Sequence, residues 1–88
     1  MTWNIKLEAS ALKALKKLDA AVRRRIEDYI DRLAEEENPR ARGIALQGTA
    51  YEGLWRYRVG DYRLICQIRD QELVILVLEI GHRREIYR

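Results

Sequence analysis

Residues 54–68, LWRYRVGDYRLICQI, carry the clearest structural signal in the sequence. Apolar and polar residues alternate on both sides of Gly60-Asp61, and such alternation predicts β-strands with one buried face. A two-residue connection that begins with glycine is typical of a tight β-hairpin. The stretch therefore predicts two antiparallel strands joined at residues 60 and 61.

This hairpin is expected to bring arginines together. With a two-residue loop, Arg58 lies opposite Arg63, and Arg56 lies opposite Ile65. Because directly opposed residues share a face of the sheet, all three arginines fall on one face. The apolar side chains point to the other face, where Cys66 is expected to be a small core residue rather than a nucleophile.

Residues 73–80, LVILVLEI, predict a central strand whose two faces are both at least partly covered. Glu79 is its only charge, so the odd-numbered positions are expected to face the arginine side, provided that no bulge intervenes. By the same parity Arg83 and Tyr87 join the arginines. His82 points toward the core side.

The upstream half predicts a strand and two helices. Polarity alternates along residues 3–7, which predicts a first strand. Apolar residues recur at helical spacing in residues 8–18, which predicts a first helix. A second helix follows an N-cap at Asp19 and stops at Asn38-Pro39. Residues 40–53 look like a loop. The expected fold class is α+β, with an N-terminal strand and an α-helical hairpin packed on a mainly antiparallel four-stranded sheet.

The composition limits the class of protein. The 88 residues, 48% hydrophobic and 35% charged, are expected to form a single domain over residues 1–88. The chain has one cysteine and one histidine, so neither an internal disulfide nor a clustered metal site is expected, and no cofactor is predicted. No stretch has the length of a signal peptide or a membrane span, which favours a cytoplasmic protein without a membrane partner.

Arginines and a tyrosine on one sheet surface indicate a phosphate ligand beside a stacked base. Guanidinium groups bind phosphate through charge-assisted bonds, and an aromatic ring reaches unpaired bases, which favours RNA or another single strand. RNA cleavage by 2′-hydroxyl attack needs a base, cations and an acid, and no obvious pair for proton transfer is present. The structural alternative is a solvated sheet whose arginines are balanced by Glu52, Glu79 or Asp61.

The chain resembles the RelE/ParE toxin superfamily, particularly its RelE branch, in the order of its segments. These are a helical hairpin, an A-L-Q-G linker, the W-R-Y-R-V-G-D-Y-R-L hairpin, an apolar strand and a G-H-R-R-E-I-Y ending. The resemblance covers essentially the whole chain. It implies a toxin of a type II toxin–antitoxin pair that cleaves mRNA in the ribosomal A site. By this resemblance, Arg63 would stabilise the scissile phosphate, and Arg56 would belong to the family's basic pair. Arg83 would be a further catalytic arginine, and Tyr87 would stack on or orient the attacked nucleotide.

Some positions depart from the family pattern or extend it. Leu54 stands where the family has the other lysine of its basic pair, and Arg58 is a candidate to replace it. His82 stands where RelE proteins often have lysine. The residues expected to bind RNA outside the catalytic set are Arg58, Arg84 and His82.

The resemblance also implies partners, and it leaves other functions open. A cognate antitoxin is expected to bind the toxin in a hetero-oligomer, while the ribosome and mRNA are the expected targets. One alternative is a ParE-type toxin that binds DNA gyrase without nuclease chemistry. Another is a basic RNA-binding module without catalysis.

Overall fold

Two helices pack against one face of a five-stranded sheet in residues 2–82, the part of the chain that this computed structural model describes. The helices are α1 (Ala9–Lys16) and α2 (Ala20–Ala34). The strands are β1 (Asn4–Leu7), β2 (Ile44–Ala45), β3 (Leu54–Val59), β4 (Tyr62–Arg69) and β5 (Val74–His82). The α+β fold class is therefore confirmed.

The sheet has the strand order β1-β5-β4-β3-β2. β1 runs parallel to β5, and the other neighbouring strands are antiparallel. Five strands replace the predicted four, because the expected loop at residues 40–53 contains the short strand β2. Its pairing of Ile44 with Arg56 and Ala45 with Trp55 depends on β3, so local alternation in two residues could not reveal it.

Both helices follow the predicted apolar spacing. The Asp19 side chain accepts a hydrogen bond from the backbone N–H of Ala21 at 3.2 Å, which confirms this residue as the N-cap of α2. Ile26, Ile30 and Leu33 lie buried on the inner side of the helix. α2 ends at Ala34, before Asn38-Pro39, where a short 3-10 helix begins instead.

The core lies between the helices and one face of the sheet. Its helical members include Leu15 and Ile26, and its sheet members include Leu64, Cys66 and Val77. Leu64 and Cys66 alternate along β4 with Arg63 and Ile65, which lie on the opposite face of the sheet. The face that carries the arginines is consequently the one turned away from this helix-packed core.

A bulge in β5 changes which of its residues face the core. Ile65 pairs with Glu79 and Cys66 pairs with Val77, so Leu78 is an extra residue on β5. Glu79 and Gly81 therefore lie on the arginine side as predicted. The prediction is wrong for Ile75 and Val77, which belong to the helix-packed core, because the bulge reverses the alternation at Leu78.

Tyr57 connects the sheet to the segment after α2. Its side chain is 0% exposed, and its hydroxyl donates a hydrogen bond to the carbonyl oxygen of Pro39 at 2.8 Å. Its ring lies 6.2 Å from the ring of Tyr29, between centroids. Burial raises the pKa of the Tyr57 hydroxyl, which therefore remains a donor at neutral pH.

Gly43 lies against this tyrosine and has no room for a side chain. A Cβ at Gly43 would lie 2.9 Å from Cε1 of Tyr57 and 3.1 Å from the carbonyl oxygen of Arg56. We expect Gly43→Ala to lower the free energy of unfolding by about 1–3 kcal/mol, the usual cost of overpacking, as measured by urea denaturation. In a Tyr57→Leu background, which lacks the ring, the cost should shrink; an equal cost in both backgrounds would contradict the steric explanation.

No helix in residues 2–82 is both long enough and apolar enough to cross a membrane.

Candidate functional site

The hairpin of β3 and β4 has the register that the sequence predicts. Arg58 pairs with Arg63, Arg56 pairs with Ile65, and Gly60 at the turn has a φ of 60°. This left-handed backbone conformation favours glycine and lets the two strands connect through two residues. The three arginines therefore lie on one face of adjacent strands.

We call the sheet face turned away from the helix-packed core the arginine face. Cross-strand pairing orders its side chains in rows that run across the sheet. The first row is Arg58, Arg63 and Gly81; the second is Ile44, Arg56, Ile65 and Glu79; the third is Leu54, Gln67, Leu76 and Lys6. The positive charge on the arginine face thus decreases from the row near the hairpin turn to the third row, farther along β3 and β4.

Arg63 is the most buried cation in the described residues, with 9% of its surface exposed. Its Nη1 donates a hydrogen bond to the carbonyl oxygen of Tyr62 at 3.3 Å. Arg56 is half-buried and Arg58 is exposed. A guanidinium held against the sheet loses little side-chain entropy on binding, so Arg63 is better prepared than Arg58 to fix a phosphate.

The remaining predicted site residues are placed differently. His82 pairs with Tyr62 on the helix-packed side, and the two rings meet edge to face at 5.5 Å between centroids. This agrees with the parity prediction and separates His82 from the three arginines, so its role in RNA binding stays a prediction. Arg83, Arg84 and Tyr87 lie outside the described residues, and their assignments also stay predictions.

Leu54, where the resemblance implies a lysine, lies on the arginine face opposite Gln67. A lysine at this position would add a second charge to the third row, in which Lys6 is the one charged residue. Lys6 and Arg69 also lie on this face by register, although neither was predicted as a site residue. Their alternation with buried neighbours along β1 and β4 was the signal that could have identified them.

Cys66 lies in the core, as predicted. Burial raises the pKa of its thiol from an ordinary value of 9.0 to about 12, so the thiol remains protonated at neutral pH. The unfolded chain, by contrast, releases this proton near the ordinary value. The buried thiol therefore contributes its full stabilisation below the pKa of the unfolded chain, and this stabilisation is lost as the pH rises toward the pKa of the folded protein.

This difference predicts a loss of stability in mildly alkaline solution. We expect the free energy of unfolding to fall as the pH rises from about 8 to about 10, by up to about 1.4 kcal/mol per pH unit in the upper part of that range. Urea denaturation at each pH measures the effect. Cys66→Ala is the control, and an equally steep decline in that variant would show that the thiol is not its cause.

Arg40 forms a separate cluster at the end of the sheet away from the hairpin turn. Its guanidinium donates two hydrogen bonds to the Asp70 carboxylate, at 2.9 and 2.6 Å, and lies 5.9 Å from the ring centroid of Trp55. The hydrogen bond from Arg40 lowers the pKa of Asp70. Arg40 and Asp70 neutralise each other in this ion pair, which connects the segment after α2 to the connection between β4 and β5.

A cleft of about 270 Å³ lies beside the C-terminal half of α2, away from the arginine face. Its lining includes Tyr29, Arg32 and Arg42, and the Nε of Arg42 donates to the Glu36 carboxylate. Burial raises the pKa of Tyr29. The Glu36 carboxylate that lines this cleft is engaged by Arg42, whereas the arginine face brings three cations together, so the arginine face is the candidate site.

Comparisons with known proteins agree with this fold. Residues 5–87 match the family described as "ParE toxin of type II toxin-antitoxin system, parDE". The mRNA interferase toxin RelE of Escherichia coli K12 is 28% identical over an alignment of 89 positions, gaps included, which covers 99% of this chain and 92% of that protein.

Solved structures give the same result. A chain of the archaeal RelE-RelB complex from Pyrococcus horikoshii OT3 is 35% identical, with a TM-score of 0.77 and coverage of 97% of this chain and 99% of that one. A chain of the RelBE2 toxin-antitoxin complex from Mycobacterium tuberculosis has a TM-score of 0.83 at 24% identity, with coverage of 94% and 100%. The chain therefore belongs to the ParE toxin family of type II toxin–antitoxin systems and is a RelE-like member of the RelE/ParE superfamily.

Proposed function

We propose that this toxin is a single-domain endoribonuclease that cleaves mRNA in the ribosomal A site by attack of a 2′-hydroxyl on the adjacent phosphate. The observation that supports this most is the direct cross-strand pair of Arg58 and Arg63, with Arg56 in the next row. Like charges placed opposite each other destabilise a sheet, and a bound phosphate compensates for that repulsion. Its RelE relative carries the name mRNA interferase.

Each arginine has a distinct part in this proposal. Arg63, held against the sheet, stabilises the charge that develops on the scissile phosphate. Arg56 contacts the same phosphate from the neighbouring row, and Arg58, which is exposed, binds the RNA backbone next to it. Arg83 as a further cation and Tyr87 as a stacking ring complete the proposed catalytic set, with Arg84 and His82 as additional RNA contacts.

The proposed partners follow from the same relatives. RelE proteins from Pyrococcus horikoshii and Escherichia coli were crystallised in complexes with RelB antitoxins. We propose that a cognate antitoxin binds this chain in a hetero-oligomer and that the cytoplasm, where ribosomes and mRNA meet, is its site of action.

Primer extension on a defined message in a purified translation system tests the proposal. Wild-type toxin is added with and without ribosomes, and the message is mapped for new 5′ ends. Cuts within the A-site codon that require ribosomes are the expected result. Cuts that appear equally without ribosomes, or no cuts at all, would contradict ribosome-dependent cleavage.

A second candidate function is inhibition of DNA gyrase, and the description of the matching family as a ParE toxin favours it. A supercoiling assay with purified gyrase separates the two functions. If the toxin inhibits supercoiling and leaves ribosome-bound message intact, the arginine face is a protein-binding surface. Inhibition of gyrase should be absent if the nuclease proposal is correct.

A further inference from the structure

Glu79 is the one carboxylate on the arginine face among the strand residues that the structure describes. It pairs with Ile65, and Arg56 lies on the far side of the same isoleucine. Its side chain is exposed, and none of the salt bridges within residues 2–82 uses it. A cation and a carboxylate thus flank one buried apolar side chain.

The β5 bulge is what brings Glu79 to this face. With regular alternation after Ile75 and Val77, residue 79 would point into the helix-packed core. The extra residue, Leu78, reverses that direction, and the Ser10 hydroxyl donates a hydrogen bond to its carbonyl oxygen at 3.1 Å. Bulges of this kind redirect side chains and occur often beside active sites.

Distances across the sheet suit a substrate between the two groups. Strands lie about 4.8 Å apart, so the backbones at Arg56 and Glu79 are about 10 Å apart across β4. Arg63 is a diagonal neighbour of Glu79, within reach of long side chains. Gly81, opposite Arg63, adds no side chain beside these two groups.

The proposed cleavage lacks a proton acceptor among the arginines, because guanidinium groups donate hydrogen bonds and stay charged. We propose that the Glu79 carboxylate is the general base that accepts the proton of the attacking 2′-hydroxyl; this inference rests on the nuclease function proposed above. The 2′-oxygen forms a bond to phosphorus, and the bond from phosphorus to the 5′-oxygen breaks. The leaving 5′-oxygen takes a proton from water, which gives a 2′,3′-cyclic phosphate and a 5′-hydroxyl.

The charges around Glu79 on the arginine face come from three other strands of the sheet. They are Arg63 on β4, Arg56 on β3 beyond Ile65, and Lys6 on β1. The proposal requires phosphate on the two arginines with the adjacent ribose hydroxyl on the β5 side, where the carboxylate is. The carboxylate therefore contributes by taking up a proton, while the arginines stabilise negative charge.

The test compares wild type, Glu79→Gln and Glu79→Asp in single-turnover cleavage of ribosome-bound message, with toxin in excess, across a range of pH. We expect the wild-type rate to fall toward acidic pH, and we expect Glu79→Gln to cleave about 100-fold or more slowly and without that fall. Glu79→Asp should keep that pH dependence at a reduced rate. Glu27→Gln, which removes the same charge from an exposed position on α2, is the matched control and should behave as wild type.

The outcomes distinguish this inference from the proposed function. If wild type cleaves and Glu79→Gln cleaves nearly as fast, Glu79 is not the base, and the nuclease proposal stands. If Glu79→Gln is slow but keeps the wild-type pH profile, Glu79 only positions other groups, and the inference is again overturned. If wild type does not cleave at all, the proposed function itself fails.

Discussion

Arg63→Ala is expected to lower the rate of ribosome-dependent mRNA cleavage by about 10²–10³-fold, the usual effect of removing one preorganised donor from a developing oxyanion. Arg63 is the most buried cation in residues 2–82, and its guanidinium donates a hydrogen bond to the Tyr62 carbonyl oxygen, so it is already ordered before substrate binds. Single-turnover cleavage at saturating toxin measures the loss in the chemical step. Because the side chain is largely buried, circular dichroism and antitoxin binding must show that the variant folds.

Two further variants make this prediction specific. Arg69→Ala removes the same charge from the same face and strand, but Arg69 is engaged with Gln67 and Glu72 and lies far from the first row. It should reduce cleavage only slightly. Arg63→Lys keeps the charge and loses the planar fork, so an intermediate rate is expected. Equal losses for Arg63→Ala and Arg69→Ala would mean that the face acts through total charge alone.

Tyr57→Ala is expected to lower the free energy of unfolding by about 3–5 kcal/mol, as is typical when a large buried aromatic side chain is deleted. The variant loses packing against Tyr29 and leaves the Pro39 carbonyl oxygen without its donor. Small domains are stable by only about 5–15 kcal/mol, so we expect a larger unfolded fraction of this variant at physiological temperature unless a partner binds. Urea denaturation followed by circular dichroism measures the change.

Tyr57→Phe separates the two contributions. It keeps the ring in place and removes only the hydroxyl, so its expected cost is about 1–3 kcal/mol from the unsatisfied Pro39 carbonyl oxygen. If Tyr57→Phe destabilises the protein as much as Tyr57→Ala, the hydrogen bond rather than the packing dominates. Equal stability of wild type and Tyr57→Phe would show that water replaces the hydroxyl at no cost.

Local sequence was sufficient to predict the centre of the fold. The two-residue loop at Gly60-Asp61 determines the register of β3 and β4, and therefore the shared face of Arg58 and Arg63. The capped, periodic helix after Asp19 was also predictable. In each case the signal lies within a few neighbouring residues, and the local geometry does not depend on distant parts of the chain.

The features that were not predicted depend on contacts between distant segments. The two residues of β2 become a strand only because β3 lies beside them. The bulge at Leu78 lies within a run of apolar residues, where no alternation of polarity could reveal a change of face. For the candidate site, Glu79 was identified only as a counter-charge, since its position relative to Arg56 depends on that bulge.

The position of β5 between β1 and β4 also determines when a newly made chain can fold. Residues 4–7 leave the ribosome early, but their hydrogen-bonding neighbour is at residues 74–77, so the first strand waits for nearly the whole chain to be synthesised. Contacts between segments so far apart form late, because the long intervening loop must close first. The five-stranded sheet is therefore completed only after residues 74–77 have been made, and a chain cut short before β5 leaves β1 without its hydrogen-bonding neighbour.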